Sequence, residues 1–282
     1  MQSTDQLAVA IQRDVSLALA EDVGTGDLTA SLIPYGRPAQ GRVISREEAV
    51  LCGCRWFDAC FHALDPQSEV TWRAREGERI EAGQTLCDIT AETRALLTAE
   101  RAALNFLQLL SGTATVTRRF VDAVAGTHAQ IVDTRKTLPS LRLAQKYAVR
   151  VGGGTNHRMG LYDGILIKEN HILAAGGIRP ALEQARAIAP SNVFIQIEVE
   201  TLAQLREALD AGAVMVLLDN MSLDQMREAV TINARRAALE ASGGVKFERV
   251  RAIAETGVDR ISIGTLTKDP RAIDLSLRHV EV

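Results

Sequence analysis

The alternation that begins near Thr127 constrains the fold more than any other feature of the chain. Apolar runs at 130–133, 164–167, 193–199, 213–218, 238–242 and 258–263 are separated by helical patterns at 138–150, 177–188, 201–211, 222–236 and 246–256. Short apolar runs between amphipathic helices predict strands buried on both faces, and so a parallel sheet with helical crossovers. The connections are short. Six such units predict an incomplete parallel α/β barrel of about six strands over residues 113–266.

Residues 1–112 read differently. Leu7, Ile11, Val15, Ala18 and Leu19 recur at helical spacing, and the helix stops before a polar turn, Glu21 to Thr29. Gly41–Ser45 and Val70–Ala74 alternate as strands, with turn signals at 76–78 and 81–84 and a helix around 54–64 between them. The longest helical pattern spans 91–123, with Leu96, Ala99, Ala103, Leu107 and Leu110 on its apolar face. Arg94, Thr98, Arg101, Asn105 and Gln108 form a polar stripe that on periodicity alone reads as a solvated face, although its weak charge suits a half-buried interface better than open water. Ser111-Gly112-Thr113 reads as a break and marks the domain boundary.

In a parallel barrel the strand C-termini carry the site. Read in order they are Asp133-Thr134-Arg135-Lys136, Lys168-Glu169-Asn170-His171, Glu198-Val199-Glu200, Asp219-Asn220, Ser242-Gly243-Gly244 and Gly264-Thr265. Basic residues cluster on the first two ends, acids on the next two, and Gly and Ser on the last two. From Arg135 to Lys168, seven Lys or Arg face one acid, Asp163, in a chain of formal net charge −3. Like charges this close repel, so the cluster implies a bound anion. Arg142, Lys146 and Arg150 recur at i, i+4, i+8 and read as a solvated helix face. His157 and Arg158 follow Gly152-Gly153-Gly154, which lets backbone approach something closely.

Ser242-Gly243-Gly244 ahead of a helix, and Ile263-Gly264-Thr265 after the last strand, offer backbone N–H groups to a phosphate. Glu198 and Asp219 suit Mg2+ or ribose hydroxyls, although strand-end acids also serve as ion-pair partners. The residues alone therefore point to a phosphorylated substrate, a metal or diol site, and a polyanionic second ligand. Aromatic residues make up only 4% of the chain and the net charge is slightly negative, which argues against a nucleic-acid surface. No apolar run approaches a membrane span, and Asp5, Arg13 and Asp14 are unlike a signal peptide. Cys52, Cys54, Cys60 and Cys87 lack zinc-finger spacing and read as reduced thiols, so a cytoplasmic protein is expected.

Eight segments carry a resemblance: Thr134-Arg135-Lys136-Thr137, Lys146-Tyr147-Ala148-Val149, Gly152-Gly153-Gly154, Asn156-His157-Arg158, Leu166-Ile167-Lys168, Glu198-Val199-Glu200, Leu218-Asp219-Asn220-Met221 and Ala241-Ser242-Gly243-Gly244-Val245. In this order they resemble the quinolinate phosphoribosyltransferase family, and Glu21-Asp22 through Gly26-Asp27-Leu28-Thr29 is similar to its N-terminal signature. Ser140 stands where the family often has Gly, and Glu169 where it often has Asp. The resemblance implies an N-terminal α/β sandwich domain, with residues 267–282 packing back on it, followed by the barrel. It implies a homodimer, further assembled in some members, in which Arg101 reaches the partner's site.

The resemblance also implies the reaction: phosphoribose passes from phosphoribosyl pyrophosphate to quinolinate with loss of CO2. Arg135, Arg158, Lys168 and the partner-directed Arg101 would hold the quinolinate carboxylates, with His157 shaping the pocket and Thr134 at its edge. Lys136 would face the pyrophosphate. Glu198 and Asp219 would bind ribose directly or through Mg2+, and Ser242, Gly243, Gly244, Ile263, Gly264 and Thr265 the 5-phosphate. Lys136, Lys168, Glu198 and Asp219 are the expected catalytic groups. Two other readings stay open: a related transferase with another acceptor, and a Schiff-base aldolase using Lys168.

Overall fold

The structure is a computed structural model and describes residues 4–280. In chain order it contains α1 (Thr4–Val23), β1 (Pro38–Ser45), β2 (Ala49–Val50), α2 (Cys54–Leu64), β3 (Glu69–Trp72), β4 (Arg79–Ile80), β5 (Thr85–Glu92) and α3 (Thr93–Ala123). Then follow β6 (Gln130–Val132), α4 (Arg142–Val151), β7 (Gly164–Ile167), α5 (Glu169–Ala175), α6 (Ile178–Ile188), β8 (Phe194–Val199), α7 (Leu202–Asp210) and β9 (Met215–Asp219). The chain ends with α8 (Leu223–Asn233), β10 (Ala238–Ser242), α9 (Phe247–Ala254), β11 (Arg260–Ser262), α10 (Thr265–Lys268) and β12 (Leu275–Val280). The described residues form two compact units, one of residues 4–118, 137–153 and 267–280, the other of 119–136 and 154–266.

The first unit is built on an antiparallel sheet in the order β12-β1-β5-β3. The last strand pairs with β1 over Gln40↔Val280 to Ser45↔Leu275, which fixes the C-terminal segment in this unit. Helix α2 forms because Trp56, Phe57, Cys60 and Phe61 fall on one face, and all four are buried. Its first N–H groups are satisfied from a distance: Glu76 accepts from Gly53 N–H at 2.8 Å and Cys54 N–H at 3.1 Å. The Trp56 indole donates to the buried Asp14 carboxylate of α1 at 3.1 Å. Cys52, Cys54, Cys60 and Cys87 are free and buried. Burial pushes the Cys60 thiol up to about 12, and it raises the other three as well, with the Glu76 charge adding to the effect at Cys52 and Cys54. Thiols of this kind are protonated and unreactive.

Helix α3 runs without a break through Ser111-Gly112-Thr113, contrary to the sequence expectation. Ser111 and Thr113 are both buried, and Ser111 is a cross-link. Ser111 Oγ accepts from Cys52 N–H at 2.9 Å and lies 3.0 Å from the Cys52 carbonyl, to which it donates. Gly112 is small because residue 271 crosses the helix: a Cβ at 112 would lie 2.0 Å from the Arg271 carbonyl oxygen. Helix α4 also differs from expectation. It groups with the first unit, and Lys146 is buried, Arg142 half-buried and only Arg150 exposed. A four-residue step overshoots one helical turn by about 40°, so an i, i+4, i+8 row winds from one environment into another. Ser140, which precedes α4, takes the left-handed φ of +64° that explains glycine at this position in the resembling family.

The second unit is a parallel sheet in the order β6-β11-β10-β9-β8-β7. Sequential strands are neighbours and the first strand sits beside the last, which is barrel order with an opening between β6 and β7. At that opening Thr155 bridges to Val132, and its N–H donates to the Ile131 carbonyl at 2.8 Å. Crossovers α6, α7, α8 and α9 bury apolar faces, including Leu182, Leu205, Met226 and Val250. Helix α5 has no counterpart in the sequence expectation, where its first residues, Glu169-Asn170-His171, read as a strand end.

The contact at Gly112 gives a test. Gly→Ala inside a helix ordinarily stabilises by about 1 kcal/mol. Gly112→Ala should instead destabilise by about 1–3 kcal/mol, because the 271–272 backbone must move. Urea unfolding reads the sign directly, and a stabilised variant would contradict the packing.

Candidate active site

Successive strand residues face opposite sides of a sheet. In the second unit this places every second residue on one inner surface. Leu166 and Lys168, Glu198, Leu217, Glu240 and Ser242, and Ser262 line a single pocket of about 180 Å³. The residues fall into two levels. Leu166, Leu217, Glu240 and Ser262 form the floor. Lys168, Glu198 and Ser242 form the rim, each the pocket-lining residue nearest the C-terminal end of its own strand, with Glu198 in sheet register with Leu217.

Thr134, Arg135 and Lys136 enter the same pocket from the end of β6, and His157 and Arg158 from the loop that follows Thr155. Asp133 organises this side. It is buried and accepts from Asn156 Nδ2 at 2.6 Å and from His157 N–H at 2.8 Å. Arg158 Nη1 donates to the Gly164 carbonyl at 2.9 Å. Burial holds the Arg158 guanidinium below its ordinary pKa, the Arg135 charge lowers it further, and Asp163 opposes both. Two guanidinium groups close enough to oppose each other's charge make this side of the pocket strongly positive. Lys168 Nζ lies 2.9 Å from Glu198 Oε2 and 3.2 Å from Oε1. The Lys168 N–H donates to His171 Nδ1 at 3.0 Å, so the first turn of α5 orients the lysine's backbone.

The phosphate-like side is held by backbone. Gly243 and Gly244 have φ of +101° and +55°, which L-residues rarely adopt. A Cβ on Gly243 would lie 2.2 Å from Asn220 Oδ1. Asn220, itself left-handed at φ +55°, donates from its side chain to Asp219 Oδ2 at 2.8 Å and from its backbone to the Ser242 carbonyl at 3.0 Å. Asp219 and Ser242 are in register on neighbouring strands. Beyond the end of β11 a Cβ on Gly264 would meet Lys136 Cδ at 3.1 Å, so the lysine stem lies over that glycine.

Not every expected residue lines the pocket. Ile263 is buried and its N–H is bonded to the Val132 carbonyl at 2.9 Å, so that N–H is already committed within the sheet. Thr265 begins the short helix α10, outside the residues lining the pocket. Arg101 belongs to the first unit, where it and Asn105 are exposed one turn apart on α3. Among the described residues no group of three His, Cys, Asp or Glu could hold a metal by itself.

Two family models match the chain in succession: quinolinate phosphoribosyl transferase, N-terminal domain, over residues 27–111, and its C-terminal domain over 113–278. The chain belongs to the quinolinate phosphoribosyl transferase family. It is 43% identical over 278 residues to a nicotinate-nucleotide pyrophosphorylase (carboxylating) of Mycobacterium leprae, covering 95% of this chain and 96% of that one. It is 37% identical to a chloroplastic nicotinate-nucleotide pyrophosphorylase (carboxylating) of Arabidopsis thaliana, over 94% and 81% of the two chains. The solved nicotinate-nucleotide pyrophosphorylase of Francisella tularensis superposes with a TM-score of 0.93 at 44% identity, covering 96% of each chain.

Within this family fold, the residues that strand-end reading missed lie one level lower. Gln196 and Glu240 sit inside apolar runs, fully buried, two residues before the rim. A Gln and a Glu in the middle of buried strands were the available signal, because such residues are buried only when bonded. Asp133 was read as a strand end, and its structural work became visible only with the 154–158 loop in place. Replacing it tests that work. Asp133→Asn can accept from only one of its two donors and turns an amide toward the other. It should lower the unfolding free energy by about 2–3 kcal/mol, and an unchanged urea midpoint would contradict the assignment.

Proposed function

We propose that this protein transfers phosphoribose from phosphoribosyl pyrophosphate to quinolinate and releases CO2, yielding nicotinate mononucleotide and pyrophosphate. The observation that carries the reading is the convergence of Arg135, Arg158, Lys136 and Lys168 on one pocket of a quinolinate phosphoribosyl transferase fold. Quinolinate is a dianion and needs a positive, partly dry pocket; arginines can grip its carboxylates bidentately. Lys136 would face the pyrophosphate. Ser242, Gly243, Gly244 and Gly264 would hold the 5-phosphate, with Ile263 and Thr265 beside them as backbone support.

Glu198 and Asp219 occupy neighbouring strand ends and would meet the ribose. Both are carboxylates, the oxygen donors that Mg2+ takes, and a bound ion would be shared with substrate oxygens. When bound there, the ion would neutralise charge on the leaving pyrophosphate. The chain's own groups do the rest. Loss of pyrophosphate leaves a cationic ribosyl centre at C1, and the pyridine nitrogen, aligned by its anchored carboxylates, attacks it. The positive charge on the alkylated nitrogen then stabilises the electron pair left on C2 when the adjacent carboxylate departs as CO2, and that carbon takes up a proton from solvent. No general base is needed.

The acceptor site is completed in this reading by a second copy, whose Arg101 would reach in. The exposed Arg101 and Asn105 within an otherwise engaged stripe support this, since Arg94, Thr98 and Gln108 are bonded to Ile33, Asp27 and Ile273. Free buried thiols suit a reducing compartment, and we place the protein in the cytoplasm. The aldolase alternative rests on the position of Lys168 alone and has no family motif behind it.

Product analysis with phosphoribosyl pyrophosphate, Mg2+ and quinolinate, nicotinate or nicotinamide tests the function. Nicotinate mononucleotide and CO2 from quinolinate alone are expected. Turnover of nicotinate would overturn the two-carboxylate pocket, and turnover of none would favour a relative with another acceptor. Arg135→Ala and Lys168→Ala should each lower kcat/KM by at least about a hundredfold; turnover within a few-fold of wild type would remove that residue from the site. Mixing inactive Arg101→Ala and Lys168→Ala chains should restore about a quarter of wild-type activity if sites form between copies, whereas no recovery would place Arg101 outside the partner's site.

A further inference from the structure

Four buried or half-buried side chains form a continuous chain beneath the acceptor pocket. Arg260 Nε donates to Glu240 Oε2 at 2.9 Å. The same oxygen accepts from Gln196 Nε2 at 3.2 Å. Gln196 Oε1 lies 2.7 Å from His157 Nε2. His157 Nδ1 accepts the Arg158 N–H at 2.8 Å. Gln196 and Glu240 are 0% exposed and His157 is 9% exposed. The other Glu240 oxygen, Oε1, has no hydrogen-bond partner among the described residues and lies 3.8 Å from His157 Nε2.

We propose that Gln196 and Glu240 are positioning residues for the acceptor side of the site, fixing His157 in its Nε2–H tautomer so that its ring holds the backbone of Arg158. The inference rests on the transferase reading above and adds two residues that act through His157.

The chain of bonds leaves one consistent assignment of protons. Arg260 can only donate and a carboxylate can only accept. Glu240 therefore draws the amide NH2 of Gln196 toward itself and turns the amide oxygen toward His157. An amide oxygen accepts, so the imidazole proton sits on Nε2. Nδ1 is then an acceptor, and it takes the Arg158 N–H. Which ring nitrogen carries the proton is set by what the other one meets. With the opposite tautomer, Nδ1–H would face the Arg158 N–H, donor against donor, and Arg158 would have to move. Both ring nitrogens are thus turned to protein, and His157 presents its ring carbons as a pocket wall. Its ring also packs edge-on against Phe194 at 5.3 Å, which fixes the ring plane.

The consequence is selective. Arg158 grips the acceptor, whereas the phosphate side is held by Gly243, Gly244 and Gly264 on other loops. Disturbing the buried chain should weaken acceptor binding and leave phosphoribosyl pyrophosphate binding nearly alone. Tenfold effects are usual when a buried group that orients a binding residue is lost.

The test uses the full chain labelled with 15N-histidine. Long-range proton–nitrogen spectra should show His157, assigned through His157→Asn, as the neutral Nε2–H form near pH 7. Gln196→Met should lose that form and raise the KM for quinolinate about tenfold, with the KM for phosphoribosyl pyrophosphate within about twofold. Glu240→Leu should behave like Gln196→Met, and Glu240→Gln, which keeps an acceptor for Arg260 and Gln196, should recover the Nε2–H form. An Nδ1–H or imidazolium form in the wild type overturns the proposal, and this needs no variant to fold. Equal rises in both KM values, or a Gln196→Met protein that keeps the Nε2–H form, overturn it too. Failure of the wild type to use quinolinate would overturn the transferase reading instead, and the spectra would still decide the tautomer.

Discussion

The pleat of the parallel sheet is the constraint on which the rest depends. Alternation sends one set of residues toward the crossover helices and the other toward the inner surface. The outward set is apolar and builds the core. The inward set is free to be polar, and near the strand ends it is. Lys168, Glu198, Asp219 and Ser242 come from four different strands, at the C-terminal ends. A one-residue slip in any strand would turn its functional group into the helix layer. Register therefore serves stability and chemistry at once.

That geometry concentrates positive charge. Arg135, Lys136, Arg158 and Lys168 share a cavity of about 180 Å³. Such a cluster is tolerable because each member is tied to something. Arg158 bonds a carbonyl, Lys168 bonds Glu198, and the stem of Lys136 rests over Gly264. The acids present are on duty elsewhere: Asp133 holds the 154–158 loop, and Glu240 holds Arg260 and Gln196. What remains is a field suited to a small polyanion. Burial disfavours the charged form of the Arg158 guanidinium and the neighbouring Arg135 charge adds to this, so its pKa lies below the ordinary value.

Much of this was legible in the sequence. The six barrel strands and most crossovers follow from period and length, and the rim residues follow from strand ends. The errors have physical causes. Ser111-Gly112-Thr113 looked like a break because its glycine answers a close approach of the 271–272 backbone rather than a turn, and its Ser111 hydroxyl is a buried cross-link to Cys52. Lys146 looked solvated because a charged row on a helix ordinarily is. Burial of a lysine is decided by what packs on the helix, which local spacing does not record. Ile263 looked like a phosphate contact because it adjoins Gly264, yet its N–H completes the β6–β11 edge. Gln196 and Glu240 were passed over because strand ends drew attention, although a polar residue in mid-strand carries as much information.

The central claim is that the pocket reads two carboxylates, and equilibrium binding tests it most directly, apart from turnover. Calorimetric titration of the wild-type protein with quinolinate and with nicotinate compares a dicarboxylate with a monocarboxylate of the same ring. The account predicts quinolinate binding at least about tenfold tighter, a difference of about 1.4 kcal/mol or more, and weakening with added salt. Equal affinities for the two acids, or binding indifferent to salt, would contradict it.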